Sequence, residues 1–400
     1  MQNSIFLGDD LYYIGGSDRK LALFESVFPL KRGVSYNSYL LMDEKTVLFD
    51  TVDRAVSDIF FENLKHVLGK RKLDYLVIHH MEPDHSACFL EIVKRYPTVK
   101  VIVNAKISVM LSNFYGKALP ELIEVKDGDT LGAGRHTLRF LFAPMVHWPE
   151  VTFSFDEATG TLFSADAFGS FGALDGGVFA DEVHFERDYL DEARRYYFNI
   201  VGKYGVQVQN ALKKVAALDI KRVCPLHGPV WRRDFKRYLD KYDIWSSYRP
   251  ETKGVAVFYA SIYGHTKNAA EILAGALAGE GVQEIKVYNV SETETSELLA
   301  EAFRFSHCVF LSPTYNAGVF VNMQRFLTDL TEHNFQNRAF SIVESGSWSP
   351  QAGRLMREQL SACKNMREVG TIVSFLSSVK EETREQLCSL AKAIALDVNR

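Results

Sequence analysis

An apolar run from Tyr75 to Ile78 ends abruptly in His80, Glu82, Asp84 and His85, an H-x-E-x-D-H spacing that is the densest chemistry in the chain. Imidazole nitrogens and carboxylate oxygens are the donors that first-row transition metals accept. Packed this closely, the groups would repel one another or stay in water unless a cation held them. Pro83 cannot continue a strand ladder, so the cluster is expected on a loop beyond the strand end, where several side chains can turn toward one point.

Three further donors stand just beyond apolar runs: His147 after Phe140 to Val146, Asp166 after Leu162 to Ala165, and His227 after Val223 to Leu226. Alone, each has an ordinary explanation, a structural histidine or a cap or turn aspartate. With the cluster they make seven donors at strand ends on one side of a sheet, a set able to converge on two metal ions with one carboxylate bridging. His79 should point away from His80 if the strand persists, which leaves it either beside the metals or in the core.

A second constellation begins at Val255-Ala-Val-Phe-Tyr-Ala-Ser-Ile-Tyr-Gly-His-Thr266. A buried strand runs into a hydroxyl- and glycine-containing loop, and a helix starts near Thr266. The loop N–H groups and the positive helix end suit a phosphate dianion, with Ser261 and Thr266 adding hydroxyl donors. There is no G-x-G-x-x-G, which argues against a dinucleotide site. The S-x-Y-G-H-T pattern, Ser261, Tyr263, Gly264, His265 and Thr266, resembles the phosphate loop of flavodoxins. Two more loops, Ser312 to Gly318 and Glu344 to Ser349, also follow apolar strands, at the carboxyl edge where ligands bind in such sheets. In flavodoxin-like proteins the corresponding loops flank the isoalloxazine ring. The resemblance therefore makes Pro313, Thr314, Tyr315, Asn316, Gly318, Ser345, Gly346, Ser347 and Trp348 candidates for binding FMN.

The elements that must position these groups fall into two sets. Up to about Tyr248, short β-branched or aromatic runs alternate with turns: Thr46–Asp50, Tyr75–His79, Val99–Val103, Thr137–Phe142, Thr161–Ala165 and Arg222–Cys224. The polar, proline-containing SYRPETKG stretch breaks the pattern and suggests a boundary, with residues 1–250 forming one domain and 251–400 the other. Beyond it strands and helices alternate regularly: strands at 255–259, 284–288, 308–311, 339–343 and 370–375, with helices between and a last helix from Lys380. Five strands so arranged describe a doubly wound parallel α/β domain.

At 400 residues the chain exceeds what one core usually serves, and 47% hydrophobic with 24% charged residues describes a soluble globular protein. No apolar run approaches the roughly 20 residues a membrane helix needs. The acidic amino terminus is unlike a secretory signal, so a cytoplasmic protein is expected. A net charge of −4 with interspersed signs offers nothing to nucleic acid or to an anionic membrane. The five cysteines, scattered and odd in number, form no C-x-x-C pair, which excludes a rubredoxin-type iron site and gives no hint of a disulfide framework.

The order of the ligand clusters resembles the metallo-β-lactamase superfamily, whose usual motif is H-x-H-x-D-H. Glu82 in place of the second histidine is similar to the flavodiiron proteins, as is the joining of such a domain to a flavodoxin-like one over essentially the full length. That resemblance implies an αββα sandwich followed by a five-stranded flavodoxin-like domain. It implies one iron held by His80, Glu82 and His147, another by Asp84, His85 and His227, and Asp166 bridging, with open positions for substrate. The added negative charge suits an iron pair cycling between ferrous and ferric states. It further implies an oxidoreductase that reduces dioxygen to water, nitric oxide to nitrous oxide, or both. Electrons would pass through FMN from an external donor such as rubredoxin or a flavin- or NADH-linked reductase. A head-to-tail homodimer or a tetramer would bring the FMN of one subunit beside the irons of another. Some members carry a pocket histidine from the amino-terminal region, but the first histidine here is His66; Tyr196 or Tyr197 could supply a pocket hydroxyl instead. Two other readings are a zinc-dependent hydrolase with an accessory flavodoxin module, against which Glu82 counts, and an electron carrier whose metal domain is a scaffold.

Overall fold

The strands before Asp243 build two large sheets that face each other, beside two short two-stranded ones. In the computed structural model, which describes residues 2–116 and 119–399, the chain divides into units Met1–Asp243 and Ile244–Arg400. The division falls within helix Phe235–Ser246, upstream of the SYRPETKG stretch.

In the first unit, one sheet has the order Ile5–Gly8, Leu11–Tyr13, Tyr39–Met42, Thr46–Phe49, Tyr75–Val77, Lys100–Val103 and Leu122–Glu124. The other runs Thr130–Gly132, Thr137–Phe142, Thr152–Asp156, Thr161–Phe163 and Arg222–Cys224. Their inner faces share one apolar core, in which Tyr39, Phe49, Val77 and Ile102 meet Leu138, Phe140, Phe163 and Cys224. The Phe49 and Phe163 rings stack across it at 3.8 Å. This is the two-layer solution open to sheets with one apolar face each, and burying those faces supplies most of its stability. Helices Ser57–Leu68 and Ala105–Tyr115 lie against the first sheet; Asn104 caps the second of these, accepting from the Lys106 and Ile107 N–H groups at 2.9 Å.

Register decides where the chemistry goes. Thr46–Phe49 and Tyr75–Val77 run parallel, so their carboxyl ends share an edge. In the other sheet Thr137–Phe142 and Thr161–Phe163 are each antiparallel to Thr152–Asp156, and Arg222–Cys224 is parallel to Thr161–Phe163. The carboxyl ends of those three strands therefore also coincide. A hydrogen bond from Thr152 N–H to the His79 carbonyl, 3.1 Å, ties the two sheets together at the edge where the donors emerge.

The second unit is a parallel sheet in the order Ile285–Asn289, Thr252–Tyr259, Phe305–Tyr315, Ala339–Gly346, the 2-1-3-4 arrangement of a doubly wound fold. The fifth position differs from the single strand expected at 370–375. It is divided into Arg367–Glu368 and Val373–Leu376, both paired with Ala339–Gly346, because Gly370 turns left-handed (φ 76°) between them. Helices His265–Gly279 and Glu381–Val398 cover one face, where Leu273, Leu277, Leu387 and Ile394 are buried. Phe258, Phe310 and Phe326 fill the other. No helix among the described residues is long and apolar enough to cross a membrane.

Candidate metal centre and flavin loops

Pro83 does not leave the H-x-E-x-D-H cluster on an irregular loop. It opens a short helix, Pro83–Ser86, at the first helical position, where its missing N–H costs nothing. Asp84 and His85 ride on that helical turn, while His80 and Glu82 precede it. The Thr51 N–H and hydroxyl both reach the His85 carbonyl, at 2.9 and 2.7 Å, and anchor the turn to the neighbouring strand end.

All seven expected donors meet there. His80, Glu82, His147 and Asp166 form one group, and Asp84, His85 and His227 another, with the donor atoms of each within 4.8 Å of one another. Asp166 faces both: its Oδ2 lies 3.2 Å from His147 Nε2 and 3.6 Å from His80 Nε2, and its Oδ1 lies 3.1 Å from His85 Nε2 and 3.9 Å from His227 Nε2. Glu82 Oε2 is 3.1 Å from both His80 and His147. Asp84 Oδ2 is 3.4 Å from His85 and 3.3 Å from His227.

The outer nitrogens show which way these imidazoles point. His227 Nδ1 is 2.7 Å from the Ser35 carbonyl, which can only accept, so the proton is on Nδ1 and Nε2 presents a lone pair when the ring is neutral. His80 Nδ1 donates in the same way to Glu150 Oε1 at 2.8 Å. Nε2 atoms then approach in pairs, 3.1 Å between His85 and His227 and 3.4 Å between His80 and His147. Both Asp84 carboxylate oxygens are buried without a hydrogen-bond partner. Lone pairs and carboxylates converging on two points in a buried site fit a pair of cations and are costly without them.

Charges follow the same logic. Burial alone would lower His85 and His147, but Asp84 and Asp166 around the first, and Asp166 and Glu82 around the second, raise both from 6.5 to about 9. Burial would likewise raise Glu82 and Asp166; the surrounding histidines hold both carboxylates well below their usual range. The metal-free protein thus draws stability from protonated His85 and His147, present in full below pH 6.5 and lost as pH rises through about 9. Metal requires the neutral rings, so its affinity should climb over that window. Thermal unfolding of chelator-treated protein should fall from pH 6.5 to 9 while metal-loaded protein gains on it; a constant gap would contradict this.

Two supporting residues escaped sequence reasoning. Glu150 orients His80 and also accepts the Met81 N–H at 2.9 Å, fixing the start of the cluster. Its signal was its place three residues beyond His147. Asp50, directly after the apolar strand Thr46–Phe49, accepts the His79 N–H at 2.7 Å and holds His79 Nδ1 at 2.6 Å. His79 Nε2 meets Ser154 Oγ at 2.7 Å, and its ring lies parallel to Phe49, so His79 belongs to the core. This buried Ser–His–Asp row has no access for a substrate. Glu150→Gln should keep the fold but weaken metal binding by about 10- to 100-fold, the usual range for outer partners of ligating histidines, as a metal-release assay would show.

Gly228, after His227, has φ 76°, and a Cβ there would meet Ser170 Oγ at 2.4 Å, so only glycine lets the strand end turn its histidine inward. The Tyr196 hydroxyl is buried with no hydrogen-bond partner among the described residues, and its ring lies 5.6 Å from His227. After burial itself, Asp166 is the main influence raising this phenol well above its usual range. Tyr197 instead packs edge-on against Tyr242 at 4.9 Å.

In the second unit the three candidate loops leave adjacent parallel strands at one edge. Gly264, left-handed at φ 90°, precedes helix His265–Gly279, and its N–H donates to Ser261 Oγ at 3.1 Å. Thr266 and Ser345 share a hydrogen bond at 2.8 Å, which joins the first loop to the third. Pro313 lies within strand Phe305–Tyr315, opposite Ser345, and Thr314 Oγ1 already accepts the Gln351 and Ala352 N–H groups at 2.8 and 3.1 Å. These two shape the loops rather than offer free groups. Asn316, left-handed, turns the hairpin that returns through Gly318. Tyr263 at 88% and Trp348 at 80% exposure present open aromatic faces; Tyr315, half-exposed, packs edge-on against Phe320 at 5.6 Å, and Ser347 and His265 are also exposed. Open aromatic faces beside a glycine-containing helix start fit a flat ring bearing a phosphate.

Comparison with known proteins agrees with both halves. The family model described as ODP family beta lactamase matches residues 34–228, and that described as flavodoxin matches residues 257–383. The anaerobic nitric oxide reductase flavorubredoxin of Aeromonas hydrophila is 30% identical over 86% of this chain and 70% of its own. The nitric oxide reductase of Moorella thermoacetica is 28% identical over 91% of each. Among solved structures, rubredoxin oxygen:oxidoreductase from Desulfovibrio gigas superimposes with a TM-score of 0.92 at 27% identity over 99% of each chain.

Proposed function

We propose, from the premise that this chain belongs to the flavodiiron proteins, that it reduces a diatomic gas, dioxygen to water or nitric oxide to nitrous oxide. It is an oxidoreductase whose cofactors are FMN in the flavodoxin-like unit and an iron pair in the β-lactamase-like unit. The observation that carries the reading is Asp166, whose two oxygens each face a different set of histidines.

In this reading His80, Glu82 and His147 hold one iron, Asp84, His85 and His227 the other, and Asp166 joins them. Bound there, the irons supply electrons and open coordination positions, and FMN accepts electrons from an external donor. Dioxygen takes up four electrons and four protons to give two waters; two nitric oxide molecules take up two electrons and two protons to give nitrous oxide and one water. Glu150 and Ser35 keep the Nε2 lone pairs of His80 and His227 aimed at the metals. Tyr196, its ring 5.6 Å from His227 and its buried hydroxyl without a hydrogen-bond partner among the described residues, would donate a hydrogen bond to bound substrate. Ser261, Tyr263, Gly264, His265 and Thr266 take the FMN phosphate. Tyr315, Asn316, Gly318, Gly346, Ser347 and Trp348 flank the ring, with Pro313, Thr314 and Ser345 holding their loops. The exposed Tyr263 and Trp348 give this edge an apolar surface on which a second, head-to-tail subunit would dock, in a dimer or tetramer. The donor is a separate redox protein, a rubredoxin or a flavin- or NADH-linked reductase. A cytoplasmic setting is consistent with five cysteines that are all unpaired.

The test is anaerobic reduction of the protein, followed by exposure to each gas separately while FMN absorbance, water and nitrous oxide are followed. Reoxidation with stoichiometric product from at least one gas is expected. A protein that holds zinc and stays reduced under both gases would instead be a hydrolase of the same fold.

A further inference from the structure

Strand Ala339–Gly346 lies inside the second sheet, flanked by Phe305–Tyr315 and Val373–Leu376, and parallel strands so placed are normally apolar on both faces. Glu344 breaks that pattern. Val343 packs into the core beneath helices His265–Gly279 and Glu381–Val398, so the next side chain turns to the opposite face, where helix Ala352–Ala362 begins. There Glu344 is buried, and its Oε2 accepts the Gly353 N–H at 2.7 Å. Glycine makes the room, since a Cβ at Gly353 would meet Glu344 Cδ at 2.9 Å. The guanidinium groups of that helix are engaged elsewhere, Arg354 by Glu358 and Arg357 by Glu368, and no cationic side chain pairs with Glu344 among the described residues. A buried carboxylate compensated by a helix N-terminus alone destabilises the fold relative to an apolar residue there.

Glu344 stands two residues before Gly346, about 7 Å along the strand, at the root of the third flavin loop. The stretch that carries Trp348 is pinned at both ends. At its start the Gly346 carbonyl accepts the Ser377 N–H at 2.8 Å. At its end the Gln351 and Ala352 N–H groups go to Thr314, from the second loop, and the Gly353 N–H goes to Glu344. Two loops that flank the ring thus hang on one helix start. Flavin that takes up two electrons and one proton gains a negative charge on its ring, and a fixed anion at the loop root opposes that charge. A unit charge about 10 Å away, at an effective dielectric constant of about 20, changes such an equilibrium by about tenfold.

We propose that Glu344 is a positioning residue of the flavin site that makes bound FMN a stronger reductant. Through Gly353 it fixes the loop carrying Trp348, and through its charge it lowers the reduction potential of the ring, so reduced flavin passes its electrons on more readily. The proposal rests on the reading of the three loops as an FMN site.

Two variants of the full chain separate the hydrogen bond from the charge, with FMN affinity and the midpoint potential of bound FMN at one fixed pH as the measurements. Glu344→Gln keeps the length and an oxygen for the Gly353 N–H but loses the charge. It should bind oxidised FMN as the wild type does and shift the ratio of reduced to oxidised flavin about tenfold toward reduced, about 30 mV upward for a two-electron couple. Glu344→Asp keeps the charge but withdraws it from Gly353. It should hold FMN about tenfold more weakly at a wild-type potential. A wild-type potential in the Gln variant would overturn the proposal, as would a wild-type affinity in the Asp variant. A wild type that takes up no FMN would instead overturn the flavin reading of the loops.

Discussion

Asp166→Asn should strip the centre of its iron pair and lower consumption of either gas by two orders of magnitude or more. The substitution preserves shape and volume, so the fold should survive. What it removes is the second anionic oxygen, the one feature that faces both histidine groups, through Oδ1 to His85 and Oδ2 to His147. Outer partners of metal ligands are already worth about 10- to 100-fold in affinity, and a bridging ligand serves two ions at once. The loss also takes away a negative charge that raises His80, His85 and His147 alike, leaving Glu82, Asp84 and Glu150 to offset them. Iron per chain and gas uptake are the measurements. An Asn variant with full iron and unchanged uptake would mean that the metal domain is only a scaffold.

Gly264→Val should do the converse, weakening the flavin site while leaving the irons in place. Gly264 has φ 90° and nothing lies within 4 Å of a Cβ placed there, so the cost is backbone strain rather than a clash. A β-branched residue in that region costs about 1–2 kcal/mol or more, which is about tenfold in FMN affinity. Turnover with an external donor should fall with flavin occupancy. Protein reduced chemically at the irons should still consume gas in a single turnover. If both activities fell together, electrons would not be entering through this loop.

Much of this was legible in the residues themselves. Donors of the right chemistry stand just past apolar runs, and parallel register among those runs necessarily gathers their ends at one edge. The seven residues of the centre and the three loops of the second unit could be named for that reason. What stayed hidden was whatever depended on local backbone or on partners distant in sequence. Pro83 was read as a ladder breaker, whereas its fixed φ suits a helix start equally well, and only the surrounding chain selects between the two. Asp50 looked like the end of a strand, and nothing nearby in sequence announced that its carboxylate would hold His79. Ser35 acts through its backbone carbonyl, which carries no signature of residue type.

The most direct test of the account is diffraction from crystals of the aerobically purified protein at wavelengths on either side of the iron edge. Two anomalous peaks present only above that edge are expected about 3.5 Å apart, as in other two-metal sites, each within bonding distance of one Asp166 oxygen. A single peak, or a pair that tracks the zinc edge in protein that still consumes gas, would contradict it.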